Sequence, residues 1–348
     1  MALPQQSATT SFLSENRPHL DLHASATDVL AADTRNGDPE FLADVLRGLA
    51  SDPKRLSSKY FYDQRGSLWF DRICTLPEYY PTRTELGILQ SNIDEICDRI
   101  GSNVHLIEWG SGSSLKTRLL LKHLSQIQAY YPVDVSGAYL NLVADELTGE
   151  FADLNICPIV GDFTNDLDAP WELKDRSNEG DRCIFFPGST IGNFSKTQAA
   201  ELLELARDAV GERGRMLIGF DLQKDRNELI NAYDDAQGVT AEFNRNLLVR
   251  INRELGADFD LDAFEHQVLY DEHNHRIEMH LKSLRRQFVS IDDATFEFKE
   301  DETICTEHSH KYTVIGFAKM AHDAGWHLSE CWTDNEARFA VALLETDF

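Results

Sequence analysis

Apolar residues first settle into a helical rhythm behind Asp38. Phe41, Leu42, Val45, Leu46 and Leu49 form one stripe, Asp38 can cap, and Pro39 fits the first helical position. A second predicted helix runs from Gly66 to about Thr75 with Leu68, Trp69 and Ile73 inward. After the turn LPEYYP, a long helix is expected from about Thr84 to Ile100, closed by Gly101. From Val104 the text changes to short apolar runs alternating with helical stretches, the mark of βαβ units around a parallel sheet. VHLIEWG, AYYPVDV, LNICPIVGDF, CIFFPG and GRMLIGFDL read as five strands, with helices at 114–127, 137–151 and 196–210 between them.

After Asp221 the alternation stops. Two helices (225–237 and 239–255) and a strand-like stretch from Phe264 to about Tyr312 read as an inserted piece. The tail returns as a helix (Phe317–Ala324), a strand (Trp326–Trp332), a turn (Thr333–Glu336) and a strand (Ala337–Leu344). The fold class expected is α/β: a doubly wound, Rossmann-like sheet with a terminal antiparallel hairpin, joined to a second α+β domain built from two chain segments. Residues 1–36, rich in Ser, Thr, Ala and Gln, are expected to be a flexible arm. Residues 37–83 with 222–311 should form a substrate-binding domain, and 84–221 with 312–348 the doubly wound domain. No internal repeat or low-complexity run interrupts the pattern.

The 348 residues carry 33 basic and 59 acidic side chains, 33 − 59 = −26, an excess that would repel a phosphate backbone. Nucleic acid is therefore not an expected partner. Six cysteines without a CxxC pair indicate neither a zinc knuckle nor a disulfide framework. The N-terminus lacks the basic start and apolar run of a signal peptide, and no apolar stretch is long enough for a bilayer. A soluble cytoplasmic monomer acting on a small molecule, away from membranes, is the expectation.

The sharpest local signal is Glu108-Trp109-Gly110-Ser111-Gly112-Ser113 at the end of a strand, where glycines let the backbone turn tightly and approach a ligand. A dinucleotide fingerprint would want a third small residue where Leu115 stands, so the loop suits a ligand without a pyrophosphate, such as S-adenosylmethionine. Asp134 ends the next strand, 134 − 110 = 24 residues on, where a carboxylate can meet ribose hydroxyls or simply cap the helix that follows. Asp162-Phe163 ends the third, where a carboxylate can accept from an exocyclic amine while the ring packs on a purine. Gly188-Ser189-Thr190-Ile191-Gly192-Asn193-Phe194 follows the fourth. It is either an ordinary loop capped by Asn193 or Ser195, or a substrate cradle beside the cofactor.

Two metal readings fail. Asp258-x-Asp260-x-Asp262 starts like a calcium loop, but Ala263 and Leu269 stand where the turn glycine and bidentate glutamate belong. His273, His275, His280, His308 and His310 share strand faces without a completing carboxylate pattern, so no metal is expected. The terminal hairpin is the closure seen in many S-adenosylmethionine-dependent methyltransferases.

FYDQRGSLWFDRICTLPEYYPTRTE, EWGSGSSLKTR, GSTIGNF, the 232–266 segment beginning AYDDAQGVTAEFNRNLL, and RIEMHLKS together resemble the ergothioneine-pathway histidine Nα-methyltransferases. The similarity runs from about residue 38 to the C-terminus. That family makes hercynine by three methyl transfers from S-adenosylmethionine to the α-amino nitrogen of L-histidine, by way of mono- and dimethyl intermediates. The resemblance implies Tyr62, Gly110, Lys116, Asp134, Asp162 and Phe163 around the cofactor, with Lys116 facing its methionine carboxylate. It implies Tyr79, Gly188, Asn193, Tyr233, Met279, Glu307 and Ser309 around histidine. Asn193 and Tyr233 would meet the amino-acid carboxylate, Glu307 and Ser309 the imidazole. Tyr62 and Tyr79 are the candidates for orienting the reacting amine. Period-2 geometry agrees for one pair: Glu307 and Ser309 project from one face of TEHSHKY, His308 and His310 from the other. The alternatives are a related enzyme acting on another amino acid such as tryptophan, a nicotinamide oxidoreductase, against which Leu115 and the hairpin argue, and a non-enzymatic cofactor-binding module, against which the full set of substrate-side residues argues.

Overall fold

A computed structural model describes residues 38–112, 114–164 and 180–346, so the predicted arm at 1–36 lies outside the described residues. Helix α1 (Pro39–Ala50) is capped by the Asp38 carboxylate, which accepts the Glu40 amide at 2.9 Å, and buries Phe41, Val45 and Leu49. A short strand β1 (Lys54–Arg55) leads to α2 (Gln64–Ile73), whose Asp63 cap accepts the Gly66 amide at 2.7 Å. Helix α3 (Tyr80–Ile100) starts before the expected Thr84, because Pro81 sits in the first turn, where a missing N–H breaks no hydrogen bond.

The alternating segment then runs β2 (Val104–Trp109), α4 (Leu115–His123), β3 (Ile127–Asp134), α5 (Gly137–Glu150), β4 (Ile159–Val160), β5 (Asp181–Phe186), α6 (Lys196–Val210) and β6 (Arg215–Asp221). Helix α4 stops at His123 rather than Ile127: Gln126 turns through φ 56° and Ile127 already belongs to β3. The long third strand shrinks to two residues, since Pro158 has no N–H for the ladder; Ile156 makes only an isolated bridge to Tyr130.

Beyond β6 come α7 (Arg226–Tyr233) and α8 (Val239–Leu255). Helix α7 ends before the expected Gln237 because the Asp235 carboxylate accepts the amides of Gln237, Val239 and Thr240 at 3.0, 3.0 and 2.7 Å, starting α8 instead. Five strands follow: β7 (Phe264–Asp271), β8 (Arg276–Ser283), β9 (Gln287–Ile291), β10 (Ala294–Phe298) and β11 (Thr303–His310). The chain closes with α9 (Val314–Asp323), β12 (Trp326–Thr333) and β13 (Phe339–Thr346).

The large sheet has the order β12-β13-β6-β5-β2-β3-β4, with β2 to β6 mutually parallel and β13 antiparallel between β6 and β12. Neighbouring residues face opposite cores: Ile107, Ile184 and Ile218 pack on one side, Leu106, Phe185 and Leu217 on the other. Burial on both faces explains why these strands read as continuous apolar runs. The strand order reverses between β2 and its neighbours β3 and β5, which opens a crevice at their carboxyl ends. The second sheet, β1-β11-β8-β7, shares an apolar core with α1, α2 and α8. It meets the first where Tyr312 and Leu222 bridge and the Tyr312 amide donates to the Asp221 carbonyl at 2.9 Å.

Candidate active site

A cavity of about 820 Å³ opens at the crevice and reaches the second sheet. The glycine loop forms its first wall. Gly110 takes φ 71°, and the Gly110 and Ser111 amides fold back onto the Val133 carbonyl at 2.9 and 3.2 Å. Asp134 stands between loop and cavity: Oδ2 accepts the Gly112 amide at 3.1 Å and Oδ1 the Ser136 amide at 2.9 Å. Burial raises its pKa above the ordinary value against those amides. The carboxylate therefore braces the loop as well as lining the cavity. Phe163 stacks on Trp109 at 5.4 Å and 7°, and a Cβ at Gly110 would lie 3.8 Å from its ring. Asp162 accepts the Thr164 amide at 2.9 Å and a Lys59 ammonium hydrogen at 3.3 Å. The Ser111 hydroxyl is buried on this wall with no hydrogen-bond partner among the described residues. Side-chain-free glycines, an orphaned hydroxyl, a half-buried carboxylate at a strand end and a stacked ring fit a ribose-bearing cofactor.

Lys116 lines the same cavity, but not as a free cation: its Nζ lies 2.5 Å from Glu85 Oε2. Glu85 has no solvent exposure and accepts the Gly188 amide through both oxygens, at 3.1 and 2.9 Å. It thus ties the cofactor-side lysine to the loop after β5. Its space is made by Gly219, where a Cβ would stand 2.0 Å from Glu85 Oε1. The sequence reading did not single out Glu85, although it shares the buried stripe of Ile88, Leu89 and Ile96 on α3 and so could have been flagged as a buried carboxylate. Glu108 was likewise assigned no role. It is buried, accepts the Thr117 hydroxyl at 2.5 Å and the Tyr130 hydroxyl, and is pushed up to about 8 by burial.

The far half of the cavity is aromatic. Tyr62, Phe70, Tyr79 and Tyr233 meet edge to face in series, with centroids 5.7, 6.1 and 6.1 Å apart. Burial, with acidic neighbours, holds the Tyr62 hydroxyl well above its ordinary pKa, and burial does the same to Tyr79. Glu307 and Ser309 reach the cavity from β11 as the alternation requires, even though a bulge between Cys305 and Glu307 shifts the ladder. Tyr233 Oη and Ser309 Oγ are 2.7 Å apart. Burial pushes the Glu307 carboxyl up to about 7, against the Lys311 charge, and no described residue donates a hydrogen bond to it. Asn193 closes a single helical turn, Thr190–Asn193, and faces the cavity; Ser195, paired reciprocally with Gln198, caps α6.

Twelve of the residues named in advance thus share one cavity: Tyr62, Gly110, Lys116, Asp134, Asp162, Phe163, Tyr79, Gly188, Asn193, Tyr233, Glu307 and Ser309. Met279 is not on its wall. It is the cross-strand partner of Glu307 and stands 1% exposed in the apolar core, where it supports that residue. His308 faces away, 3.7 Å from Glu278, and among the described residues no group of three or more His, Cys, Asp or Glu side chains is placed to hold a metal. No described helix is long and apolar enough to cross a membrane.

A seven-stranded sheet with a reversed hairpin at one edge, a glycine loop at the switch point and an acid at the next strand end together define an S-adenosylmethionine-dependent methyltransferase. The chain belongs to the histidine-specific, S-adenosylmethionine-dependent methyltransferase family, whose model matches residues 41–346. It is 39% identical over 324 residues to the histidine N-alpha-methyltransferase of Mycolicibacterium smegmatis, covering 92% of this chain and 98% of that protein. It is 26% identical over 336 residues to the 4-dimethylallyltryptophan N-methyltransferase of Claviceps fusiformis, covering 89% and 92%. A solved S-adenosylmethionine-dependent methyltransferase from Clostridium acetobutylicum aligns with 10% identity and a TM-score of 0.44, covering 75% of this chain and 92% of that one.

Proposed function

We propose that this chain methylates the α-amino nitrogen of L-histidine three times in succession, using S-adenosylmethionine, to give hercynine, the first step of ergothioneine biosynthesis. The observation that carries the reading is the Glu307 carboxyl, which has no hydrogen-bond donor among the described residues, on the same strand face as Ser309 at the end of an aromatic cavity that adjoins the glycine loop. An imidazole is the amino-acid side chain that offers both a donor and an acceptor nitrogen to such a pair. An indole, with one N–H and no acceptor, would leave one member of the pair unanswered.

In this reading residues 37–83 and 222–311 bind the amino acid, and 84–221 with 312–348 the cofactor. The cofactor, when bound, supplies a methyl already activated on a sulfonium. Gly110, Asp134, Asp162 and Phe163 hold its nucleoside, and Lys116 faces its carboxylate. Asn193 and Tyr233 hold the carboxylate of the amino acid, while Tyr62 and Tyr79 orient the amine. Both tyrosines stay protonated, so they align the nitrogen lone pair rather than act as tyrosinate bases. The aromatic wall keeps water away from the reacting atoms. Alignment of this kind supplies roughly 7 to 11 kcal/mol of a barrier.

Mass spectrometry of L-histidine incubated with the protein and S-adenosylmethionine tests the reading. Products heavier by one, two and finally three methylene groups are expected. Methylation of tryptophan in preference to histidine would refute the substrate. L-Histidinamide should be a poor substrate; if it reacts as well as histidine, Asn193 and Tyr233 do not hold a carboxylate.

A further inference from the structure

Behind the cavity wall lies a buried charge cluster to which no role has been given. Lys311, the residue after β11, has no solvent exposure. Its Nζ is 2.9 Å from Asp221 Oδ2, 2.8 Å from Ser309 Oγ and 3.1 Å from Tyr233 Oη. Lys224 Nζ stands 2.6 Å from the other Asp221 oxygen, and the Tyr80 hydroxyl donates to Asp221 Oδ2 at 2.6 Å. Two ammonium groups therefore share one carboxylate. The Asp221 amide also donates to Ser189 Oγ at 3.0 Å, so this one residue touches three elements of the substrate half: the start of α3, the loop after β5 and, through Lys311, the Tyr233–Ser309 pair.

Hydrogen counting gives the cluster a direction. An ammonium has three hydrogens and no lone pair, and all three of Lys311's are spent on Asp221, Ser309 and Tyr233. Both hydroxyls thus act as acceptors toward it. They own two hydrogens between them, and their mutual contact at 2.7 Å uses one. One O–H remains, and the side open to it is the cavity that both residues line. Burial keeps the Tyr233 hydroxyl protonated despite the nearby ammonium. A carboxylate in the cavity is the strongest acceptor that hydrogen could meet.

We propose that Lys311 is a positioning residue for the substrate carboxylate: it occupies the acceptor sites of Tyr233 and Ser309 and so turns their spare hydrogen into the cavity. Ser309 then donates to Tyr233, and Tyr233 donates to the carboxylate. This deepens the histidine reading given above and rests on it.

The test is steady-state kinetics of the 348-residue chain on L-histidine and L-histidinamide at saturating S-adenosylmethionine. Wild type is compared with Lys311→Met and with Lys311→Met combined with Asp221→Asn, which relieves the buried carboxylate that the single change leaves short of a partner. Calorimetry with S-adenosylhomocysteine reports whether each variant is folded. KM for histidine should rise at least about tenfold in both, kcat should change by less than about threefold, and the preference for histidine over its amide should fall by about tenfold. A purely structural role would slow both substrates alike. An unchanged preference in a variant that still binds S-adenosylhomocysteine overturns the proposal. Because Lys311 acts through Tyr233, adding Lys311→Met to Tyr233→Phe should not lower the preference further; additive losses also overturn it. A wild type that binds S-adenosylhomocysteine but leaves histidine unmethylated refutes the substrate reading and the proposal together, whereas an active wild type with an unaltered preference in the variants refutes Lys311 alone.

Discussion

Replacing Glu307 by Gln separates what this carboxyl does to the fold from what it does for the substrate. Its ordinary pKa of 4.5 rises to about 7 in the folded chain, chiefly through burial, with the Lys311 charge opposing the rise. Tyr62, Tyr79 and Tyr233 around it are held neutral at these pH values and offer no compensating charge. A raised acid pKa means the folded state binds the proton more tightly than the unfolded state. Below pH 4.5 both states are protonated and the residue is harmless. As pH climbs from 4.5 toward 7 the unfolded chain ionises first, and stability is lost. Above 7 the full penalty applies: the gap between 4.5 and about 7, at about 1.4 kcal/mol per pH unit, is roughly 3 kcal/mol. Gln does not titrate. Glu307→Gln should therefore match the wild type near pH 4.5 and exceed it by roughly 3 kcal/mol near pH 8.5. Urea denaturation of both proteins at the two pH values measures this as a difference of differences, in which every other titrating group cancels. The same variant should lose histidine methylation by at least about tenfold, the trade between stability and function that a poised site entails. An advantage of equal size at both pH values would show that the carboxyl is not desolvated, and would remove the physical basis of its role.

Three further perturbations separate the halves of the site. Asp134→Ala should weaken S-adenosylhomocysteine binding by about 1.5 to 3 kcal/mol, the range for a hydrogen bond to a charged group, and unchanged affinity by calorimetry removes Asp134 from the cofactor site. Gly219→Ala should displace Glu85 and with it Lys116 and the Gly188 amide; a stability loss of about 1 to 3 kcal/mol with weakened cofactor binding is expected, and a variant normal on both counts would show that Glu85 has room to move. Glu307→Ala should shift competitive methylation from histidine toward tryptophan, since it removes the imidazole's partner and widens the pocket, and an unchanged product ratio would place the selectivity elsewhere.

What the sequence made legible followed from local rules. The strand-end positions of Gly110, Asp134 and Asp162 fall out of βαβ alternation, and the shared face of Glu307 and Ser309 follows from period two. Element ends were less legible, because they depend on single competing groups: Pro81 starts α3 early, Asp235 stops α7, and Pro158 cuts β4 short. Long-range polar pairs were not legible at all. Nothing near Lys116 in the chain announces Glu85, and Asp221 with Lys311 stand 90 residues apart (311 − 221) and are joined only where the residues just past β6 and β11, Leu222 and Tyr312, bridge the two sheets. Met279 shows the converse limit: it is the ladder partner of Glu307, yet its side chain belongs to the apolar core and not to the cavity wall.

The distribution of charge around the cavity gives the aromatic wall its purpose in the proposed reaction. Charged and titratable groups stand at the periphery: Asp134 and Asp162 on the cofactor side, the Glu307 carboxyl at the imidazole end, and the Lys311 cluster behind Tyr233. Between them lie Tyr62, Phe70 and Tyr79, neutral and close-packed. A carboxylate beside the amine would favour its charged form and so hold the proton that must leave before the nitrogen can react. An aromatic face attracts a cation without supplying a base or a strong acceptor that would retain a proton. Each transfer moves positive charge from sulfur to nitrogen, and the wall can receive that charge at every round without trapping the partly methylated amine in its protonated, unreactive form. In the proposed reading the carboxylate and imidazole anchors do not change between rounds, so the growing ammonium would be accommodated in place while Tyr233, Asn193, Glu307 and Ser309 keep hold of the rest of the amino acid.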